Sequence, residues 1–279
     1  MKLGPSTFQV AGRRLPAPLW IIGPDVIETR ESTLAVAREL ARVAQARGLS
    51  LVFKGSYEKA NRSSARSYRG PGLAAGLDVL RAVKAETGLP VLSDVHGLEQ
   101  LDAAAEVLDA IQIPAFLSRQ NALLEAVAAT GRAVNLKKGQ FLSPWDIPAR
   151  VAVLRDAGAR EIWISERGVS FGYQRLINDF RVVPETHAAG AALIFDATHS
   201  VQTMGGAAGV SGGERPYIPV LARAAAAAGA DGFFLEVHAN PAEALCDGPN
   251  AVPLDRLESL LDQLLPIVAL VRKLPDCTL

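Results

Sequence analysis

Eight short apolar runs rich in β-branched residues recur along the chain, and each is followed by an Ala/Leu-rich stretch with helical periodicity. The runs lie at 19–23 (LWIIG), 50–56 (SLVFKGS), 90–95, 110–115, 133–139, 161–168, 192–199 and 232–238. The helical stretches lie at 30–46, 74–87, 97–108, 120–129, 146–157, 175–188, 215–228 and 254–273. Strands apolar on both faces must be covered on both faces, which is the condition of a parallel sheet with helices outside it. Eight strands alternating with eight helices predict an α/β chain closed into a (β/α)8 TIM barrel. The length of 279 residues suits this, since such barrels use about 250 residues as one domain. Gly48-Leu49, Ala157-Gly158 and Gly229-Ala230 stand where helices must end before the next strand. No Pro/Gly/Ser linker divides the chain, so residues 1–279 read as a single barrel domain. Residues 3–15, with Phe8-Gln9-Val10 and Ala11-Gly12, predict a short N-terminal β-hairpin, making residues 1–16 a cap on the barrel bottom. A doubly wound open sheet is the competing architecture, but Gly23-Pro24-Asp25 follows the first run in place of G-x-G-x-x-G.

Charge narrows the partners. Lys plus Arg equals Asp plus Glu at 29 each, whereas a protein built for nucleic acid or an anionic membrane carries a basic excess. Anion recognition must therefore be local. Cys246 and Cys277 make neither a disulfide framework nor a CxxC metal pair, which fits a reducing cytosol. No window approaches 18 uninterrupted apolar residues, and the first 20 residues place Arg13-Arg14 where a signal peptide would be apolar. The expectation is a cytoplasmic protein with no membrane partner.

Almost every predicted strand ends in ionisable or amide groups. In chain order they are Asp25, Lys54 with Ser56, Asp94 with His96, Gln112, Lys137 with Lys138, Glu166 with Arg167, Asp196 with His199, and Glu236 with His238. A (β/α)8 barrel brings its C-terminal strand ends to one mouth, where its active site sits. Any one of these groups could be a solvated edge or a structural ion pair. Seven or eight together point to a site. His96 and His238 read as supporting or core histidines.

The second strand runs into a basic loop, Lys54 to Arg69, in which five cations face one acid over sixteen residues. Such a run is commonly a solvated face or a nucleic-acid patch. Here Asn61, Ser63 and Ser64 surround the cations, which supplies the mixed donors that a phosphate accepts from. Only Tyr57 and Tyr68 are interleaved, too few for stacking along a single strand. With Lys137 and Arg167 at the same mouth, the residues predict small, multiply anionic, phosphorylated substrates.

Asp25, His199, Glu236 and Asp247 form a second constellation. They could hold a divalent metal (Mn, Fe, Zn or Mg), with hard oxygen ligands favouring Mn, Mg or Fe over a thiolate-loving ion. Alternatively the carboxylates bind sugar hydroxyls while the histidine moves protons. A serine hydrolase has no G-x-S-x-G elbow here. A Schiff-base aldolase through Lys137 or Lys138 would need a desolvated lysine, where this cationic mouth would rather pair lysine with phosphate.

At this level of detail the chain resembles a known family. Lys54 to Ser64 with Ser67-Tyr68-Arg69-Gly70, Gln112 to Phe116, Arg119-Gln120 and Asn135 to Phe141 carry the likeness. Arg167-Gly168, Phe171-Gly172-Tyr173, Phe195 to His199 and Cys246-Asp247-Gly248-Pro249 continue it. Together they look like the 3-deoxy-D-manno-octulosonate 8-phosphate synthases, over about residues 19 to 270. The sister synthase acting on erythrose 4-phosphate shares the barrel but carries a PRTS-like loop where this chain has Asn61-Arg62-Ser63-Ser64. A non-catalytic phosphosugar-binding barrel is the rival of a different class.

The resemblance implies condensation of phosphoenolpyruvate with arabinose 5-phosphate, for lipopolysaccharide synthesis, by a homotetrameric barrel. It implies that Lys59, Lys137 and Arg167, with Ser56 and Gln140, hold phosphoenolpyruvate. Lys54 would sit between the substrates. Asn61, Arg62 and Ser63 would bind the arabinose phosphate, joined by Arg119 from a neighbouring subunit. Asp94 and Asp247 would engage sugar hydroxyls, and His199 would lie beside the reacting centre. Residues 205–213 (GGAAGVSGG) have the composition of a lid. One position departs from the pattern: metal-dependent members carry Cys, and metal-independent members Asn, where this chain has Asp25. Cys246 to Pro249 resembles the metal-independent class, while Lys138 to Phe141 and Ser143 to Asp146 look like the metal-dependent one. If no metal binds, carboxylates crowded at one mouth should raise at least one pKa.

Overall fold

The computed structural model describes residues 4–60, 67–173, 175–203 and 212–275. Its centre is a ring of parallel strands: β1 (Leu19–Gly23), β2 (Ser50–Lys54), β3 (Val91–Asp94), β4 (Ala110–Ile113), β5 (Ala133–Lys137), β6 (Ile162–Glu166), β7 (Ala192–Asp196) and β8 (Gly232–His238). Each pairs with its sequence neighbour, and β8 pairs with both β7 and β1, which closes the barrel. Every residue of β1 to β7 is buried, as both-face coverage requires. The outer ring is α1 (Arg30–Arg47), α2 (Leu73–Thr87), α3 (Leu101–Val107), α4 (Asn121–Ala129), α5 (Ile147–Asp156), α6 (Val182–Ala188), α7 (Ile218–Ala228) and α8 (Leu257–Val271). No helix of the described residues is long and apolar enough to cross a membrane.

Local chemistry sets the element ends. The Thr29 side chain accepts from the Ser32 backbone while Ser32 Oγ accepts from the Thr29 N–H, a reciprocal cap that starts α1. Gly48 and Gly229 end α1 and α7 in the left-handed conformation, as the sequence predicts. At Gly23 a Cβ would lie 1.8 Å from the Lys54 carbonyl oxygen, so only glycine lets the end of β1 lie this close to β2. That approach brings Asp25 beside Lys54.

The structure corrects one expectation. Residues 175–188 are not helical throughout: Val169–Gly172 and Arg175–Ile177 form an antiparallel hairpin, and α6 begins only at Val182. Arg175-Leu176-Ile177 alternates exposed, buried, exposed, which is strand period, and Pro184 is tolerated only because it sits in the first turn of α6. Gly168, with φ of 94°, makes the fold-back possible, since a side chain there would meet Leu176.

Two apolar clusters hold the ring. The larger lies between strands and helices. The smaller fills the barrel interior with Leu19, Ile21, Val52, Leu92, Trp163, Ile194 and Phe234, and the N-terminal hairpin (Thr7–Val10 paired with Arg13–Pro16) adds Phe8 and Val10 to it. Phe8 is fully buried and meets Trp163 edge-on at 6.0 Å. The hairpin is therefore part of the core, as the predicted cap required. Phe8→Ala should lower stability by about 3–5 kcal/mol through lost burial and a cavity. Urea unfolding would read this as a lower midpoint at unchanged slope, and a loss below about 1 kcal/mol would contradict the plug.

Candidate active site

Closing the barrel brings the polar strand ends together. One cavity is lined by Asp25, Lys54, Ser56, Lys59, Asp94, Gln112, Lys137, Gln140, Arg167, Asp196 and His199. Glu236 and Asp247 complete a cluster with Asp25 and His199, whose ligand atoms lie within 4.8 Å of one another. The sequence reading of Asp25, Lys54, Ser56, Lys59, Asp94, Lys137, Gln140, Arg167, His199, Glu236 and Asp247 as one mouth is thus met in space. Arg119 is exposed on the loop between β4 and α4 and does not line the cavity. Asn61, Arg62, Ser63 and residues 205–211 lie outside the described residues. Gly212–Gly213 pair with Gln202–Thr203.

The cations are held by named acceptors. Lys54 Nζ donates to the backbone carbonyl of Asp25 and lies 3.5 Å from both the Asp25 and Glu236 carboxylates. Lys59 Nζ donates to Asp25 Oδ2 at 2.5 Å and to Asp247 Oδ2 at 2.7 Å. Lys137 donates to Asp196 Oδ2 and sits 3.1 Å above the Phe234 ring centroid. Arg167 Nη2 donates to Gln202 Oε1 at 2.7 Å, while its buried Nη1 has no hydrogen-bond partner among the described residues. Next to this set, Lys138 is fully buried against Glu166 at 3.2 Å and the Leu142 carbonyl, so it braces the strand end.

The carboxylates divide by environment. Burial would push Asp94 up, but the His96 bond at 2.9 Å, Lys54 and the Ser56 hydroxyl outweigh it and hold Asp94 below the usual range. Asp196 is likewise held low by His199 and Lys137 against its burial. Glu236 goes the other way. Burial first, then the Asp25 charge, raises it to about 7. Burial lowers Lys137 to about 8, partly offset by Asp196. Lys59 is raised well above its ordinary value, because Asp25 and Asp247 outweigh its burial.

Four features had weak or no sequence signal. Cys246 Sγ donates to Asp25 Oδ2 at 2.8 Å, placing a thiol against the cluster; burial and Asp25 push that thiol upward. Gln202 bridges Arg167 to Asp247, with its Nε2 3.3 Å from Asp247 Oδ2. Asp196 was visible as a strand end, yet its pairing with Lys137 was not. Nothing in the 232–238 run marks Phe234 as the surface beneath Lys137. His96 and His238 support carboxylates, Asp94 at 2.9 Å and Glu28 at 3.4 Å, in keeping with the reading of them as supporting groups.

The residues fit a metal. Glu236 is 1% exposed, and neither of its carboxylate oxygens has a hydrogen-bond partner among the described residues. Such a group calls for a ligand or a proton. Three carboxylates and one imidazole are a donor set for a divalent cation with oxygen preference.

Comparison with known proteins agrees with this geometry. The sequence profile of the DAHP synthetase I family matches residues 10–268. A 2-dehydro-3-deoxyphosphooctonate aldolase of Desulfosudis oleivorans is 56% identical over 253 residues, covering 90% of this chain and 91% of that protein. Proteins of the same name from Nitratidesulfovibrio vulgaris and Pelobacter propionicus are 54% and 52% identical. They cover 90% and 94% of this chain, and 92% and 96% of their own lengths.

A raised carboxyl makes a pH-dependent contribution. The folded pKa of Glu236 exceeds its unfolded value, so the contribution is fully present below about 4.5 and is lost as pH rises through about 7. In chelator, Glu236→Gln should therefore gain stability relative to the parent protein between pH 5 and pH 8, by on the order of 1 kcal/mol. Thermal melting across that range checks it, and a difference independent of pH would refute the assignment.

Proposed function

The chain belongs to the DAHP synthetase I family, and from that premise we propose that it condenses phosphoenolpyruvate with D-arabinose 5-phosphate and water. The products are 3-deoxy-D-manno-octulosonate 8-phosphate and inorganic phosphate, the sugar acid serving lipopolysaccharide synthesis in the cytoplasm. The observation that carries this reading is the convergence of buried Lys54, Lys59, Lys137 and Arg167 in one cavity, with one guanidinium nitrogen left without a partner among the described residues. Four buried cations in one place are a receptor for a small polyanion.

In this reading Lys137, Arg167 and Lys59 hold the phosphate and carboxylate of phosphoenolpyruvate, with Ser56 and Gln140 assisting. Gln140 lines the same cavity, and its side-chain amide nitrogen is the atom that can donate to such an anion. Asn61, Arg62 and Ser63 take the sugar phosphate. Asp94, braced by His96, orients a sugar hydroxyl. C3 of the enol attacks the aldehyde carbon, negative charge builds on the aldehyde oxygen, and positive character develops at C2. Lys54 stands between the substrates and stabilises the oxygen charge. Water adds at C2, and the C2–O bond breaks to release phosphate. His199 lies 2.9 Å from Asp196 and 3.5 Å from Glu236, so it can move a proton at this centre between two carboxylates. Asp247 shares Lys59 with Asp25 and engages a sugar hydroxyl when the lysine turns to phosphate. A divalent cation of the Mn, Fe, Zn or Mg kind, held by Asp25, His199, Glu236 and Asp247, would act there as a Lewis acid.

The assembly proposed is a homotetramer of single-barrel subunits spanning residues 1–279. Its support is a set of exposed aromatics on the loops after β4, β5 and β6: Phe116, Phe141, Trp145, Phe171 and Tyr173. In that assembly Arg119, exposed on the loop after β4, would reach into a neighbouring subunit's mouth.

Phosphate release from phosphoenolpyruvate is the test, run before and after exhaustive chelation and with Mn added back. Release is expected with arabinose 5-phosphate and not with erythrose 4-phosphate, and no release with either would leave a binding protein. Arg62→Ala should raise the KM for arabinose 5-phosphate about 10- to 100-fold, the value of a charged hydrogen bond, with a much smaller effect on phosphoenolpyruvate. Equal losses for both substrates would remove the loop from the sugar-phosphate role.

A further inference from the structure

The metal-fitting cluster already contains a cation. Lys59 Nζ is bonded to Asp25 Oδ2 at 2.5 Å and to Asp247 Oδ2 at 2.7 Å, so it occupies one carboxylate oxygen on each of two of the four residues. The same ammonium borders the cavity shared by Lys137 and Arg167, where the guanidinium Nη1 has no partner among the described residues. Lys59 is therefore common to an acidic cluster and an anion pocket.

We propose that Lys59 takes the place of the divalent cation in the substrate-free protein and leaves it for the phosphate of phosphoenolpyruvate, so that this substrate opens the cluster to the cation. The inference rests on the reading of the cavity as the phosphoenolpyruvate site. Its physical basis is exclusion. Metal–oxygen bonds run about 2.0–2.6 Å, so a cation on Asp25 Oδ2 and Asp247 Oδ2 would lie against the ammonium now bonded to both. Two positive charges at that separation in a buried site repel strongly. The ammonium is also an incomplete substitute. Neither oxygen of Glu236 has a hydrogen bond among the described residues, and His199 Nε2 stays 3.5 Å from Glu236 Oε1.

A bound phosphate changes the competition. It adds negative charge beside Lys137 and Arg167, and Lys59 can turn toward it on its flexible four-carbon stem. Asp25 and Asp247 then lose their shared donor, and a divalent cation becomes the group that neutralises them. Linkage makes the effect mutual. Whatever factor phosphoenolpyruvate adds to cation affinity, the cation adds to phosphoenolpyruvate affinity.

The experiment is a Mn²⁺ titration of chelator-stripped full-length protein, with free Mn²⁺ read from its electron paramagnetic resonance signal, with and without phosphoenolpyruvate and with no sugar present. For the parent protein, phosphoenolpyruvate should lower the Mn²⁺ Kd at least tenfold. Lys59→Met should bind Mn²⁺ at least tenfold more tightly than the parent without phosphoenolpyruvate, and should respond to it less than threefold. Lys59→Arg keeps a cation in place and should stay weak. Equilibrium dialysis with labelled phosphoenolpyruvate in chelator separates the two failures. No phosphoenolpyruvate binding overturns the reading of the cavity. Binding that leaves the parent's Mn²⁺ affinity unchanged overturns the Lys59 proposal alone, and that comparison needs no variant. Absence of Mn²⁺ binding by every form, with and without phosphoenolpyruvate, also overturns it.

Discussion

Five carboxyl groups and four cations share the barrel mouth, and every feature of the site follows from how they are neutralised. The acids are Asp25, Asp94, Asp196, Glu236 and Asp247; the cations are Lys54, Lys59, Lys137 and Arg167. Isolated charges at this depth would be prohibitive, so each must find a partner or give up its charge. Asp94 is answered by His96, Ser56 and Lys54, Asp196 by Lys137 and His199, and Asp25 with Asp247 by Lys59. Glu236 has Lys54 and His199 only at 3.5 Å, and burial together with the Asp25 charge raises its pKa to about 7. The mouth is close to balanced without a ligand. A trianionic substrate upsets that balance, which is why substrate, protons and any divalent cation cannot bind here independently.

The scaffold holds this arrangement by joining the polar mouth directly to the apolar interior. Phe234 shows how. Its side chain belongs to the interior cluster that Phe8 and Trp163 close from below, and its ring face carries the Lys137 ammonium above. An aromatic face is one of few apolar surfaces that attracts a cation, so the floor of the site needs no additional polar group. The N-terminal hairpin packs into that same interior. Its Phe8 and Val10 share one buried cluster with Phe234, whose ring lies under the lysine that meets Asp196.

Periodicity made the barrel legible because it registers burial, and burial on both strand faces has few architectural solutions. The 169–177 hairpin escaped that reading, since a three-residue strand lacks the length to show its period and its neighbours Val182 and Val183 suit a helix equally well. The site was legible for a related reason. Charged residues at the ends of apolar runs are conspicuous, so Asp25, Lys54, Lys137, Arg167, His199 and Glu236 could be read directly. Gln202 is neutral, sits in a loop and gains its importance only by lying between Arg167 and Asp247. Cys246 is adjacent to a predicted site residue, but its contact with Asp25 spans 221 positions and no spacing encodes it.

Asp25 is where this chain's electrostatics depart from the pattern it resembles. A neutral amide at this position would leave Lys59 to Asp247 alone, and a thiol would offer a softer, conditionally charged atom. A carboxylate adds a permanent negative charge beside Glu236, and that charge is the second-largest cause of the raised Glu236 pKa. The same oxygen receives both the Lys59 ammonium and the Cys246 thiol. The thiol, pushed upward by burial and by that charge, donates its hydrogen bond to Asp25. One substitution in the first strand's loop therefore sets three properties together: where Lys59 rests, when Glu236 ionises and where the Cys246 thiol donates. The cluster is neither a metal-free amide site nor a thiolate site, but a carboxylate site whose charge must be met by a lysine or by a cation.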